Sequence, residues 1–499
     1  MPPWHVAQVL TEAYFHSVHQ CFRFVDRADF LRDLQSVYDN TVTRIASGLS
    51  QRRTLAVANM MWAVGARWID LVGLKDRIIP DHHGAMAVEG HLVYYARARS
   101  LGLDHRMQLE HPSFEMLQGM AVLGFYLLSN GSVHRRAWNM VAQTIRHAMA
   151  LGLHLEVFPG VFTARDLRRR ARVWWSLYRM EVLLSEITGR PKCVNDNDIT
   201  TPTGLITEKE EDTEMSRYNL QAWDDVLDGL NRTVENSAGG IIPWSKLARV
   251  GTDTCEIHFA ATLQLSILST KVASNLYLSP SDSTWADVQK TVRDLVSDLR
   301  QWQESLHPDL RIETIGESNL DPRANLDVAL GLCSLQMILY RPFLCEIRIE
   351  DESAESIRFN NASARAGVMA AIRMTELLPD APVAEQVLSV FPWWSLLHLI
   401  SQTTAVLTLE LCLNCQHMQD ETAEVMMALR KAMNYLWALA PKSKSAYRAW
   451  YIYRPLVEKV SQKYNPGVLA YIPQDAAKPE QWNVMDKMMS RNEVSPADS

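Results

Sequence analysis

The segment DLRRRARVWWSLYRMEVLLSEITGRP, residues 166–191, decides the class of fold. Its apolar residues recur at steps of three and four, and at 3.6 residues per turn such positions share one face of an α-helix. Gly189 can take the left-handed conformation that ends a helix, and Pro191 has no amide hydrogen with which to resume it. We therefore predict a long amphipathic helix that stops at the Gly-Arg-Pro turn.

A second amphipathic segment lies upstream of the first. AWNMVAQTIRHAMALGLHLE, residues 137–156, repeats the same period, and Gly152 can end its helix. The apolar faces of the two segments predict helices that pack beside each other. Together with the flanking sequence they define the core stretch of the chain, residues 110–202.

The order of these elements resembles the middle homology, or regulatory, domain of fungal transcription factors, also called the xylanolytic transcriptional activator regulatory domain. The matching segments are ALGLH at 150–154, RRRARVWWSLY at 168–178, TGRP at 188–191 and NDNDIT at 195–200. Glu181 departs from the family pattern, which often has Asp at that position.

The resemblance extends in both directions. TEAYFHSVHQCFRFVDRADFL at 11–31 resembles the family's opening helix and loop, and an apolar helix that runs into Tyr340-Arg341-Pro342-Phe343 also recurs in the family. The resemblance implies an all-α regulatory domain over residues 1–470. The tail at 471–499 has no clear periodicity, so we predict that it is disordered. The motif positions that it assigns are expected to be structural: Trp174, Trp175, Tyr178, Gly189, Arg190, Pro191, Asp198, Arg341 and Pro342.

Composition and charge restrict the function. Of the 499 residues 47% are hydrophobic and 21% are charged, the range of a globular protein with a large core. The formal net charge of -7 argues against a surface built to neutralise phosphates. The seven cysteines are scattered, as expected for free thiols in a reducing compartment. The apolar segment 393–413 contains His398, Gln402 and Glu410, so we predict a buried helix and not a membrane span.

Three patterns could bind a metal ion. Asp224-Asp225-Val226-Leu227-Asp228 is a DDxxD sequence whose carboxylates would share one helix face, as in Mg²⁺-dependent terpenoid synthases that bind a substrate diphosphate. A helical enzyme is therefore one alternative, although no second metal-binding motif follows. Cys412-Leu413-Asn414-Cys415 has the spacing of half a zinc site, and Asp81-His82-His83 could join a ligand set. Because a solvated acidic helix, buried thiols and a solvated cap explain these patterns more simply, we predict no metal, cofactor or catalytic site in this chain.

Arginines are concentrated at the start of the principal helix. The cluster at 165–172 could be a DNA-binding patch, but on an amphipathic helix arginine stems cover the edge of the core and the guanidinium groups pair with nearby acids. We favour this second interpretation. We also predict that Arg190 binds helix-end carbonyls and pairs with Asp196 or Asp198, which would make it a structural residue.

The resemblance also implies a function. It indicates a nuclear regulator of transcription by RNA polymerase II, which restrains or releases activation through the transcription machinery and responds to a small effector. Family members usually carry, upstream, a binuclear zinc cluster of six cysteines that places a helix in the DNA major groove. This sequence has only Cys21 near its start. DNA contact is therefore expected only through a missing upstream region or a partner transcription factor, and a plain helical scaffold is the second alternative.

Overall fold

The computed structural model describes residues 1–42, 48–74, 90–103, 111–131, 133–206, 254–278, 283–314, 321–345, 352–462 and 472–479. Within these ranges the regular elements are helices and none is a strand, which confirms the all-α fold that the sequence predicts. The sequence patterns at 81–83 and 224–228 lie outside the described residues.

Fifteen α-helices occur in the described part of the chain. The first eight are α1 Trp4–Tyr14, α2 Arg27–Val42, α3 Leu49–Leu71, α4 His91–Ser100, α5 Phe114–Ser129, α6 His134–Ala150, α7 Ala164–Thr188 and α8 Thr254–Val272. The remaining seven are α9 Trp285–Ser305, α10 Pro322–Tyr340, α11 Ala354–Glu376, α12 Ala384–Val390, α13 Leu396–Cys412, α14 Thr422–Leu439 and α15 Lys444–Ser461. Single π-helical turns continue α1 and α8, at Phe15–His19 and Ala273–Tyr277.

Local chemistry sets several helix boundaries. α9 spans the residues 285–305 over which the sequence shows helical periodicity. It begins after Thr284 because Thr284 and Asp287 form a capping box, in which each side chain accepts a hydrogen bond from the other residue's backbone amide. The apolar period of the sequence predicts a helix from Leu55, but α3 begins at Leu49. Its first turns are polar, so the apolar period does not reveal them. α13 begins only at Leu396, after a turn that contains both tryptophans of the predicted segment. None of the described helices is long and apolar enough to cross a bilayer.

The described residues divide into two compact units. The first unit runs from the N-terminus to Gly331 and includes Leu388–Phe391, and the second contains Leu332–Val387 and the chain from Pro392 onward. A single regulatory domain over residues 1–470 stays a prediction. Of the tail predicted to be disordered, residues 480–499 lie outside the described ranges.

The first unit is organised around two helices. α3 packs against α1, α2, α4 and α5, while α7 packs against α6 and α8, which confirms the predicted pairing of the two amphipathic segments. Gly65 permits the close approach of α3 to α1, because a Cβ atom at this position would lie 2.3 Å from the carbonyl oxygen of Leu10. Trp62 and Trp68, on the same helix, are buried. The core of this unit therefore depends on close helix contact and large aromatic side chains.

The second unit is built around α13, which packs against α11, α14 and α15. Two of the polar residues singled out from its sequence, Gln402 and Glu410, have partners inside the unit. Glu410 accepts hydrogen bonds from the backbone amide and from Nδ1 of His417, at 2.8 Å and 2.7 Å, and Gln402 donates to the carbonyl oxygen of Ser334 at 3.1 Å. The predicted buried helix is therefore confirmed. The two cysteines that follow differ, since Cys412 is exposed and Cys415 is buried.

Candidate functional site

The motif helix α7 has a capped start, and it ends where its sequence predicts. Thr163 caps the first turn, because its hydroxyl oxygen accepts a hydrogen bond from the backbone amide of Asp166 at 3.1 Å. Gly189 has a φ of 63°, the left-handed conformation predicted for it. The next amide, that of Arg190, turns back and donates to the carbonyl oxygen of Ser185 at 3.2 Å. The end of the helix is therefore satisfied by the backbone of the turn.

The aromatic motif residues of α7 lie inside the first unit. Trp174, Trp175 and Tyr178 are each at most 5% exposed. The Tyr178 hydroxyl lies 3.0 Å from Oδ1 of Asp196 and 3.2 Å from Oγ1 of Thr270, so it donates to the carboxylate and accepts from the threonine. Burial raises the pKa of Tyr178. One side chain thus connects α7 to α8 and to the segment that follows the Gly-Arg-Pro turn.

The Gly-Arg-Pro turn differs from the prediction in the partner of its arginine. The guanidinium group of Arg190 lies over the ring of Trp138, 5.1 Å from the centroid, in a cation–π contact. Asp196 accepts a hydrogen bond from Lys192, four positions away. Within the described ranges neither Asp196 nor Asp198 forms an ion pair with Arg190. The physical reason is that a local lysine reaches the carboxylate, whereas the weakly hydrated guanidinium stacks on an aromatic ring of α6.

The segment after the turn is bound to the residues that follow α6. The backbone amides of Thr200 and Thr201 both donate to the carbonyl oxygen of His154, at 2.9 Å and 3.1 Å. Pro191 and Asp198, which lie in the chain between the helix end and these threonines, are exposed. The ALGLH and NDNDIT segments are therefore adjacent in space although α7 separates them in the chain.

The arginines at the start of α7 pair with acids, as predicted. Arg165 and Arg169 lie 2.7 Å and 3.2 Å from carboxylate oxygens of Asp29, and Arg172 lies 3.2 Å from Glu256. The pairing interpretation is therefore confirmed for these three arginines. A phosphate group that approached them would have to compete with carboxylates already in place.

The Tyr-Arg-Pro-Phe motif belongs to the second unit. α10 ends where the motif begins, and Arg341–Leu344 form a single 3₁₀ turn with Pro342 near its start, as expected for a residue that cannot continue an α-helix. Phe343 is buried and packs edge-on against Phe359, with the ring centroids 5.6 Å apart. Arg341 is exposed. The structural role assigned to these motif residues stays a prediction.

Sequence reasoning missed a group of four polar side chains in the first unit, which we call the buried polar cluster: Cys21, Arg179, His258 and Asp327. Oδ2 of Asp327 is its centre. This oxygen lies 2.9 Å from Nε2 of His258, accepts a hydrogen bond from Sγ of Cys21 at 3.5 Å and lies 3.8 Å from Nη2 of Arg179. The donor atoms of the cysteine, histidine and aspartate lie within 4.8 Å of one another. Four separate parts of the chain therefore meet at one carboxylate.

Arg179 is enclosed on several sides. Its Nη1 atom donates to the carbonyl oxygen of Cys21. The guanidinium group also lies over the rings of Phe22 and Phe259, 5.3 Å and 5.5 Å from their centroids. Only 10% of the Arg179 side chain is exposed. The arginine thus supplies positive charge to Asp327 and packs between two aromatic rings of the core.

The buried polar cluster shifts two pKa values in opposite directions. Burial alone would raise the pKa of the Asp327 carboxyl group, but the hydrogen bond and charge of His258 and the charge of Arg179 outweigh it and lower that pKa. Burial and the Asp327 carboxylate raise the pKa of the Cys21 thiol. The carboxylate is therefore ionised and the thiol protonated, which makes Cys21 a poor nucleophile.

A protein-family model described as the fungal specific transcription factor domain matches residues 11–304. The matched range contains α7, the Gly-Arg-Pro turn and three of the four residues of the buried polar cluster. Since the match covers more than half of the chain, the chain belongs to the fungal specific transcription factor domain family.

Individual relatives agree with the family assignment. Transcription regulator galc of Aspergillus niger is 23% identical over 513 residues, which cover 92% of this chain and 59% of the relative. Activator of stress genes 1 of Saccharomyces cerevisiae is 22% identical over 348 residues, which cover 69% of this chain and 32% of the relative. Cutinase transcription factor 1 alpha of Fusarium vanettenii is 22% identical over 224 residues, or 44% of this chain and 22% of the relative.

The family and these relatives bear on the functional alternatives. The chain spans 59% or less of the length of each of the three relatives. All three carry the names of transcription regulators or activators, which do not support the helical Mg²⁺-dependent enzyme. The DDxxD sequence on which that alternative depends lies outside the described residues. The comparisons therefore favour a regulator of transcription over an enzyme.

Proposed function

We propose that this chain is the regulatory part of a fungal transcription regulator that acts in the nucleus on transcription by RNA polymerase II. The observation that supports the proposal best is the family match over residues 11–304, which has α7 and the Gly-Arg-Pro turn within it. The names of the relatives point in the same direction. In this proposal the chain restrains or releases activation through contacts with other proteins of the transcription machinery.

The proposal assigns DNA recognition to a partner transcription factor or to sequence that this chain does not contain. Three observations support that division. The formal net charge is -7, and arginines at the start of α7 already pair with Asp29 and Glu256. The sequence also contains no group of six closely spaced cysteines that could hold a binuclear zinc cluster.

Regulation by a small effector is part of the same proposal. The chain contains 15 tryptophans and 21 methionines, side chains that line adaptable apolar pockets between helices. A metabolite that bound one arrangement of the helices more tightly than another would increase the population of that arrangement. The contacts of the domain with other proteins would change as a result.

A tethering experiment tests the proposed function. The full chain is fused to an unrelated sequence-specific DNA-binding module in a yeast strain that carries a reporter gene under the matching site. We expect reporter transcription to differ several-fold from that with the DNA-binding module alone, and a fluorescent fusion of the chain to accumulate in the nucleus. Reporter transcription equal to that of the module alone, at equal protein abundance, would argue against a regulatory role.

Two matched substitutions separate regulation from loss of the fold. Arg179→Met removes a guanidinium group from the buried polar cluster, whereas Arg135→Met removes an exposed one from α6. We expect the first variant to lose both stability and the reporter effect, and the second to retain both. If both variants kept the reporter effect, the structure of the first unit would not matter to regulation and the proposal would fail in this form.

A further inference from the structure

We propose that Cys21, His258 and Asp327 form a binding site for a single zinc ion in the first unit. The inference does not depend on the proposed regulatory function, because it concerns side chains and not partners. It also differs from the prediction made from the sequence, which finds no metal site in this chain.

The three side chains supply donor atoms that zinc binds. Zinc sites in proteins use cysteine sulfur, histidine nitrogen and aspartate oxygen, and Sγ, Nε2 and Oδ2 of the three residues lie within 4.8 Å of one another. Tetrahedral bonds of about 2.0 to 2.3 Å place neighbouring donors about 3.3 to 3.7 Å apart. The sulfur and the carboxylate oxygen are already 3.5 Å apart. The nitrogen and the oxygen, at 2.9 Å, need to separate only slightly.

The orientation of His258 also suits metal binding. Its Nδ1 atom lies 3.3 Å from the carbonyl oxygen of Gln20, a group that can only accept a hydrogen bond. Metal-binding histidines in proteins usually donate their second ring N–H to such a carbonyl or carboxylate, which fixes the ring and directs the other nitrogen to the metal. Here Nε2 lies 2.9 Å from the carboxylate oxygen of Asp327.

The charges around the three donor atoms suit a dication. Cysteine binds zinc as a thiolate, so zinc binding would release the thiol proton of Cys21. The thiolate and the Asp327 carboxylate would then supply two negative charges that balance Zn²⁺ beside the guanidinium group of Arg179.

The ligand types select the metal by class. A thiolate and an imidazole favour zinc, whereas Mg²⁺ and Ca²⁺ prefer sites made of oxygen atoms. Three protein ligands leave one position of a tetrahedron for water. Because the ligands come from the segment before α2, from α8 and from α10, a bound ion would join three parts of the first unit and stabilise the folded state.

Metal titration of the purified full chain tests the proposal. After treatment with a chelator, the protein is titrated with Zn²⁺ and, separately, with Mg²⁺ while bound metal and thermal stability are measured. We expect one zinc ion per chain, a higher unfolding temperature with zinc and no response to magnesium. Outer-shell changes at zinc sites cost about 10- to 100-fold in affinity, so loss of a ligand in Cys21→Ser should cost at least about 100-fold.

Cysteines elsewhere in the chain provide the matched controls. Cys333→Ser removes another buried thiol and Cys193→Ser an exposed one, and neither should change zinc affinity. Asp327→Asn should weaken binding as Cys21→Ser does. Zinc bound equally well by Cys21→Ser and by the unaltered chain would mean adventitious binding and would overturn the proposal.

A measurement on the unaltered chain tests the ligands of the zinc ion even if the variants do not fold. X-ray absorption fine structure of the zinc-loaded protein should show one sulfur neighbour, with nitrogen and oxygen atoms as the others. A spectrum without sulfur, or with two or more sulfurs, would contradict the site, and so would failure of the chain to retain zinc at all.

Discussion

The first turns of α7 and its middle both carry arginines that face carboxylates, but in different surroundings. Arg165 lies 2.7 Å from Asp29 with 48% of its side chain exposed. Arg179 lies farther from its acid, 3.8 Å from Asp327, but only 10% of its side chain is exposed and two aromatic rings cover it. Distance alone would rank the first pair as stronger. Burial reverses this ranking, because an exposed pair is screened by water and a buried charge that loses its partner is not.

The largest effect should come from breaking the buried pair. Arg179→Met leaves the carboxylate of Asp327 with less positive charge around it and removes the donor to the Cys21 carbonyl. We expect a loss of about 3 to 5 kcal/mol in the free energy of unfolding, measured by urea denaturation. Arg179→Lys should have a free energy of unfolding between those of Arg179→Met and the unaltered chain, because lysine keeps the positive charge but lacks the planar guanidinium group. Equal stability of all three proteins would contradict the comparison.

A second prediction concerns an acid near the end of α7. Burial raises the pKa of Glu186 from 4.5 to about 7, although a hydrogen bond from Ser269 opposes the shift. The carboxyl group is therefore harder to ionise in the folded state, and it lowers stability progressively as the pH rises from its unfolded pKa to its folded pKa. Glu186→Gln should be more stable than the unaltered chain by about 2 kcal/mol near pH 8, with no difference near pH 4.

The hydroxyl of Ser269 provides the control for this pH effect. Ser269→Ala removes the hydrogen bond that lowers the pKa of Glu186, so the titration should move to higher pH. Unfolding by urea across the pH range, with all three proteins in parallel, checks both expectations. If the free energy of unfolding of the three proteins changed with pH in the same way, burial would not affect the titration of Glu186, and the prediction would be wrong.

A smaller effect is expected at the turn that ends α7. Gly189→Ala places a Cβ atom where nothing lies within 4 Å, so the cost comes only from the left-handed backbone. We expect a loss of about 1 kcal/mol, measured as a change in the denaturation midpoint. Gly189→Asn should cost less, because asparagine tolerates this conformation better. A much larger loss would indicate that the turn also has a packing role.

The smallest effect should follow from breaking the exposed pair. Arg165→Met removes one partner of Asp29, but Arg32 and Arg169 remain 2.8 Å and 3.2 Å from the same carboxylate. We expect a change of at most about 1 kcal/mol in the free energy of unfolding, and a smaller one at high salt. A loss as large as that of Arg179→Met would show that exposure does not distinguish the two pairs.

The parts of this fold that depend on neighbouring residues could be predicted from the sequence. The end of α7 at Gly189, the start of α5 after its cap residue Ser113 and the start of α9 after its capping box follow from side chains within one or two helical turns. The partner of Arg190 could not be predicted in the same way. Its ring contact is with Trp138, more than fifty positions away, whereas the sequence favoured Asp196 or Asp198, which follow Arg190 closely in the chain.

The sequence by itself determined that this protein is helical, where several of its helices end and which family it resembles, because periodicity, caps and motif order are local properties of the chain. Only the tertiary structure decided which polar groups meet. Cys21 and Asp327 are 306 positions apart, and His258 and Asp327 are 69 apart. No spacing rule predicts such a meeting, since it depends on how α7, α8 and α10 pack.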